Sequence, residues 1–227
     1  MKKILTLITT ACMAMVLIYG CCLFDDGLEN CFTQYHITIP LNISPADTVY
    51  KIGDTIWLSS TIDSLLYDTV SKSMVDFHQY DLRIYPMLDK IDSTAEYGSI
   101  QAEHLFDYYT PIGEYKIWQG SNIYGLFIYE QVGSQKVVKT ALIPKQMGSY
   151  IVKFGFESSD VEDADLPNRG CASVATYPYL VMNGNITDNN YYFLLNNGLK
   201  HIKTSTKQIL SFENYRMSAS FGFKVIE

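Results

Sequence analysis

Basic residues are scarce in this chain. Its 17 Lys plus Arg stand against 24 Asp plus Glu, for a net charge of −7. An acidic surface repels phosphate backbones and no basic stripe offsets it, so nucleic acid is not expected as a partner. Histidine is scarcer, with four in 227 residues. His36, His78, His104 and His201 are scattered, and none sits in a recognisable nucleophile setting. G-x-S-x-G, S-x-x-K, H-E-x-x-H and phosphate-binding glycine loops are all missing, which removes the common signatures of acyl transfer, zinc hydrolysis and nucleotide binding. The five cysteines include no C-x-x-C pair and no histidine at ligand spacing, so no metal or other cofactor is expected. A chain of this length builds a hydrophobic core without a metal or a dense disulfide framework.

Aromatic residues are plentiful, with 18 Tyr and 11 Phe. They cover pleated, half-buried surfaces well, which points to strands. At the amino end, Lys2 and Lys3 precede an uncharged apolar run from Ile4 to Ile18. That is the anatomy of an export signal, and the run falls short of the ~20 residues of a spanning helix.

The run ends in Leu17-Ile18-Tyr19-Gly20-Cys21, which resembles the lipobox of bacterial lipoproteins. The resemblance implies cleavage after Gly20 and acylation of Cys21, hence a membrane partner reached through a lipid anchor. Asp25 and Asp26 resemble the surface-export signal of Bacteroidota lipoproteins. The expected location is therefore the outer membrane, with the cell surface favoured over the periplasmic face. That compartment is oxidising, so a disulfide among Cys22, Cys31 and Cys171 is expected. Cys31 with Cys171 would pin a tether to the folded body, and Cys22 with Cys31 is the local alternative.

Period-two patterns then recur. Tyr35, Ile37, Ile39 and Leu41 alternate with polar positions, and Pro40 and Pro45 suggest an edge strand. Ile56, Leu58, Ser60 and Ile62 share one face and Trp57 the other, where either a covering element or a ligand is expected. Tyr80, Leu82 and Ile84 predict a strand disturbed by Pro86. Residues 89–101 read as a loop, and 102–109 fit a strand or a short helix equally. Ile123–Tyr129 is apolar on both faces, as a central strand should be. Gly133-Ser134 marks a hairpin turn, Asp188 a cap for a helix over Tyr191–Leu195, and Phe221, Phe223 and Val225 a closing strand. The acidic stretch from Glu157 to Gly170 reads as a solvated loop rather than a calcium site.

Two stretches resemble immunoglobulin-like sandwiches. Ile52-Gly53-Asp54-Thr55-Ile56 is similar to the start of their second strand, and to a recurring stretch in uncharacterised Bacteroidota lipoproteins. Gly148-Ser149-Tyr150 is similar to their tyrosine corner, although Val152 stands where antibody domains have a cysteine. Several Asp-Ser and Asp-Thr steps, at Asp47, Asp54, Asp63, Asp68 and Asp92, resemble the O-glycosylation pattern of Bacteroidota envelope proteins and are also ordinary turn chemistry.

The expectation is an all-β, mainly antiparallel, immunoglobulin-like β-sandwich with at most one or two short helices. Residues 1–20 would be the signal, 21–34 a lipidated tether and 35–227 one domain. A non-enzymatic envelope lipoprotein with a binding or structural role fits best, its partner a protein or a glycan. The alternative is glycan capture for a polysaccharide-uptake system, with Trp57 or Trp118 as the stacking platform. A hydrolase would require two carboxyls, or a base and a nucleophile, converging in a cleft.

Overall fold

The computed structural model describes residues 32–78, 80, 82–92, 94–95, 99–119, 123–156, 173–185, 188–197, 215 and 219–227. The chain opens with strands β1 (Phe32–Ser44), β2 (Val49–Lys51), β3 (Ile56–Asp63), β4 (Leu65–Asp68) and β5 (Ser73–Asp76). Then come β6 (Ile84–Ile91), β7 (Ser99–Gln101), β8 (Phe106–Ile112), β9 (Glu114–Gln119) and β10 (Ile123–Ile128). β11 (Glu130–Val132), β12 (Gln135–Pro144), β13 (Gly148–Phe156), β14 (Ser173–Met182), helix α1 (Tyr191–Asn197) and β15 (Phe221–Ile226) complete it.

The strands form a two-sheet sandwich, mostly antiparallel. The first sheet runs β11-β12-β3-β1-β14, with β8 also on β12. The second runs β2-β15-β13-β6-β10-β9, with β7 also on β6, and β4 pairs with β5 in a separate hairpin. The parallel pairs are β1 with β14 and β15 with β2. Strand β1 begins at Phe32, so it takes in residues 32–34 of the stretch read as tether.

Period-two patterning builds the core as expected. Tyr35, Ile37, Ile39 and Leu41 of β1 face inward and meet Tyr150, Val152, Phe154 and Phe223 of the other sheet. Each fully buried side chain of this kind contributes about 1.5–3 kcal/mol. The tyrosine corner is present in geometry: Tyr150 starts β13, donates its hydroxyl to Gln146 O at 2.8 Å and stacks on Phe223. Val152 is buried in the core where a disulfide would stand in an antibody domain.

The edge-strand reading of β1 is corrected, since β1 lies between β3 and β14. His36 donates its N–H to the Asp68 carboxylate at 2.8 Å, and its carbonyl accepts from Thr69 N at 3.0 Å. Even-numbered residues of β1 therefore turn their backbone away from β14. Pro40 is one of these, and it sits just before the β3 ladder begins at Asn42. No ladder donor is lost there, and Ser60 Oγ donates to Pro40 O at 2.8 Å. The terminal strand is β14. By the same alternation Pro178, opposite Ile37, turns its nitrogen to the outer edge, where a missing donor blunts further strand pairing.

Residues 102–109 resolve into both alternatives, a 3-10 turn over Glu103–Leu105 followed by β8. The turn drives the Glu103 carboxylate inward, where Oε1 accepts from Leu88 N at 3.0 Å. The stretch 89–101 is not one loop, because β6 continues to Ile91 and β7 pairs back onto it. Nor is β10 central: it is next to last, with only β9 beyond it. The chain changes sheet between β8 and β9 at Gly113, whose φ is +72° and whose added Cβ would lie 2.5 Å from Ile128 O.

Candidate functional site

The outer face of the second sheet is divided into two parts. Over β13, β15 and the end of β6 it is covered. Asp188 caps α1, its carboxylate accepting from Asn190 N at 3.2 Å and Tyr192 N at 3.0 Å. Tyr191 and Leu194 of the helix pack with Tyr215 and Leu195 against Ile151 and Ile91. The contact is close because residue 222 is glycine: a Cβ there would lie 2.1 Å from Leu194 Cδ1. Tyr215 donates its hydroxyl to Asn189 O at 2.5 Å, and burial pushes that phenol well above its usual range.

Over β6 and β10 the same face is half-buried, and over β9 it is exposed. Trp118 of β9 stands directly opposite Tyr124 of β10 in the ladder. Tyr124 meets Tyr85 of β6 edge to face, with ring centroids 5.0 Å apart. All three point outward, because their neighbours Ile84 and Phe127 fill the core. Trp118 is 57% exposed. Two ion pairs flank the row, Lys116 with Glu114 at 3.2 Å and Lys153 with Asp89.

Beneath this second part the inner side is polar. The Tyr115 ring of β9 stacks on Tyr108 at 4.7 Å and fills the space where residue 125, a glycine, has no side chain. Tyr108 donates its hydroxyl to Glu103 O at 2.8 Å. Glu103 is 2% exposed, Oε2 has no hydrogen-bond partner, and burial raises the carboxyl above its usual range. Buried this deeply, Glu103 serves structure and is closed to a substrate.

The structure does not bring the two tryptophans together. Trp57 lies on the outer face of the first sheet. Lys139 Nζ sits 4.5 Å above its ring, and Tyr109 meets it edge to face at 6.4 Å. Trp57 is half-buried, flanked by side chains of β12 and β8 from its own sheet rather than lying under a separate element. At the other end of that sheet His36 packs on Tyr177 at 5.3 Å. Tyr85 and Tyr124 were not singled out from the sequence. The parity of Tyr85 against Ile84 was readable there, but the neighbouring strand that makes it part of a row was not.

A base and a hydroxyl do approach each other at Ser64 and His78, with Oγ and Nδ1 3.4 Å apart. Ser64 is buried and already donates its proton to Ser134 O at 2.6 Å, so this pair does not make an activated nucleophile. Among the described residues no three His, Cys, Asp or Glu side chains gather as metal ligands, and no helix is long and apolar enough to cross a membrane. Of the Asp-Ser/Thr steps, Thr48, Thr55 and Thr69 are exposed while Ser64 is buried. Asp68 is fully buried and holds Ser71 N as well as His36 N, which is turn chemistry. Cys21, Cys22, Cys31, Cys171, His201 and the acidic stretch 157–170 lie outside the described residues.

No family model matches the chain, and no curated protein matches it. Among solved structures it is similar to the human F-spondin reeler domain, at 8% identity and TM-score 0.31, over 60% of this chain and 85% of that one. It is also similar to the second type II cohesin module of the ScaA scaffoldin of Acetivibrio cellulolyticus, at 10% identity and TM-score 0.28, over 64% and 86%. The CupB6 tip adhesin of Pseudomonas aeruginosa follows at 12% identity and TM-score 0.18, over 66% and 42%. The chain is a β-sandwich protein with a distant resemblance to reeler and cohesin domains.

Proposed function

We propose that this chain is a non-catalytic binding module, held at the outer membrane by acyl chains on Cys21 and presented at the cell surface. The observation that carries the binding reading is Trp118, a large aromatic side chain 57% exposed on a sheet face whose other part is fully packed. Its ring continues the aromatic neighbours Tyr124 and Tyr85, which are half-buried, and an exposed apolar surface of this kind suits a partner. Anchoring rests on the lipobox-like residues and the export segment before them. A Cys31–Cys171 disulfide is part of the same proposal, supported by two strands that pair in parallel from Phe32 and Ser173 onward, each closely preceded by one of the cysteines. Strict pleat alternation would set those cysteines on opposite faces, so the bridge requires the pleat to end before them.

Labelling cells with an alkyne-bearing palmitate tests the anchor. The wild-type chain is expected to take up label and fractionate with the outer membrane, and Cys21→Ser to lose both. Retention of the variant in the membrane at the processed size would remove the anchor. A second reading, capture of a glycan, is favoured by the Trp118 ring, an exposed aromatic face on which a sugar can stack.

A further inference from the structure

We infer that the β4–β5 hairpin is a second membrane contact, seating the domain on the lipid surface that its acyl chains reach; the inference rests on the anchoring proposed above. The hairpin has two unlike faces. Leu66 and Val75 pack into the core, and Asp68 is fully buried with its carboxylate on His36 N. The other face is turned to solvent and is apolar. Tyr67 stands directly opposite Met74 in the ladder, Leu65 lies two residues from Tyr67 on the same face, and Val70 follows at the turn. Tyr67, Met74, Leu65 and Val70 are 52%, 58%, 55% and 53% exposed. Four large apolar side chains gathered on one small hairpin differ from the single exposed residues that every surface shows.

What faces this patch follows from its place in the fold. β3 pairs with β1 only over Asn42–Ser44, and nearer the start of β1 the hairpin takes over: Thr69 N donates to His36 O at 3.0 Å. His36 is about 13 Å along the strand from Phe32. From Phe32 back to Cys21 the chain spans at most about 40 Å. The patch is thus at the end of the domain that the anchor holds against the bilayer. Its chemistry suits a lipid interface: Tyr67 has an apolar ring with a polar tip, and exposed Lys72 at the turn stands beside aliphatic side chains. Lys72 is balanced by exposed Asp76, and the chain is acidic, so zwitterionic lipid fits better than anionic lipid. A protein partner fits less well, because a stable interface takes about 20–30 residues a side. The anchor lifts that requirement for lipid, since insertion of a tethered hairpin is an intramolecular step.

The test uses the full chain, acylated in cells and reconstituted into phosphatidylcholine vesicles. The chain has two tryptophans, so Trp57→Phe with Trp118→Phe clears the background, and Val70→Trp or Met74→Trp then reports from the hairpin alone. In vesicles the emission is expected to move to shorter wavelength and to be quenched about twofold by phosphatidylcholine brominated near the headgroup end of its chains. Adding Leu65→Ser and Tyr67→Ser to Val70→Trp should abolish both changes while the protein still floats with the vesicles. Emission indifferent to the bromines at both positions, in protein that floats, would overturn the inference and leave the anchor standing. Protein that fails to float would remove the anchor and the inference with it. A blue shift that grows with protein concentration in detergent, without quenching in vesicles, would assign the face to a second copy and overturn the lipid contact.

Discussion

One face of one sheet is treated in two ways. Over Ile151 and Gly222 it is packed under α1 and Tyr215. Over Tyr85 and Tyr124 it is half-buried, and at Trp118 it is exposed. Both parts are aromatic, so composition does not separate them. The difference is fit: in the covered part a glycine admits Leu194 and Tyr215 finds a carbonyl for its hydroxyl. In the other part the largest ring, Trp118, remains 57% exposed. An aromatic surface that contributes to stability and one kept for a ligand are told apart by which rings are closed over.

Substitutions that separate stability from surface chemistry sharpen this contrast. The largest effect is expected from Leu194→Ala, which removes a fully buried side chain with a partly rigid surround and should cost about 2–5 kcal/mol in urea unfolding. Tyr215→Phe keeps the ring and removes one of two donors to Asn189 O, Gly222 N remaining at 3.1 Å, for a loss of about 0.5–1.5 kcal/mol by the same measurement.

Glu103→Gln probes the floor of the less covered part. The folded state holds the Glu103 proton more tightly than the unfolded chain does, chiefly because of burial. As pH rises from the usual glutamate range through the raised folded value, the unfolded chain sheds its proton first and stability falls. The amide cannot charge, so Glu103→Gln should gain stability relative to the wild-type chain as pH rises to 8, and its urea midpoint should lose that part of the pH dependence. Equal midpoint slopes with pH for both proteins would show that Glu103 is not the titrating group. The smallest effect on stability belongs to Trp118→Ala. A ring this exposed should change unfolding by no more than about 0.5 kcal/mol, which makes it a clean binding variant. A larger loss would mean that Trp118 is covered after all.

Much of the sandwich was legible along the chain. The alternation in Tyr35–Leu41, the Tyr150 corner, the Asp188 cap and the hairpin at Gly133-Ser134 all rest on neighbours within a few residues, and each was read correctly. The failures concern partners distant in sequence. Pro40 looked like an edge signal because a proline cannot donate, but β1 lies between β3 and β14, and at Pro40 no ladder donor is needed while Ser60, 20 positions on, donates to its carbonyl. Ile123–Tyr129 looked central because both its faces are apolar, whereas Tyr124 and Leu126 face outward beside an edge strand. The site was half legible. Trp118 stood out as one of two tryptophans, but Tyr124 and Tyr85 belong to it only because β9, β10 and β6 lie side by side.

Composition and alternation by themselves determined that this chain forms strands, which residues of each strand enter the core, and that common catalytic signatures are missing. Those properties follow from local sterics and from apolar residues leaving water at a period of two. Strand order, the placing of Lys139 over the Trp57 ring, and the exposure of Trp118 were decided only in the tertiary structure. They depend on which strands become neighbours, and that is settled by the packing of the whole sandwich rather than by any one segment.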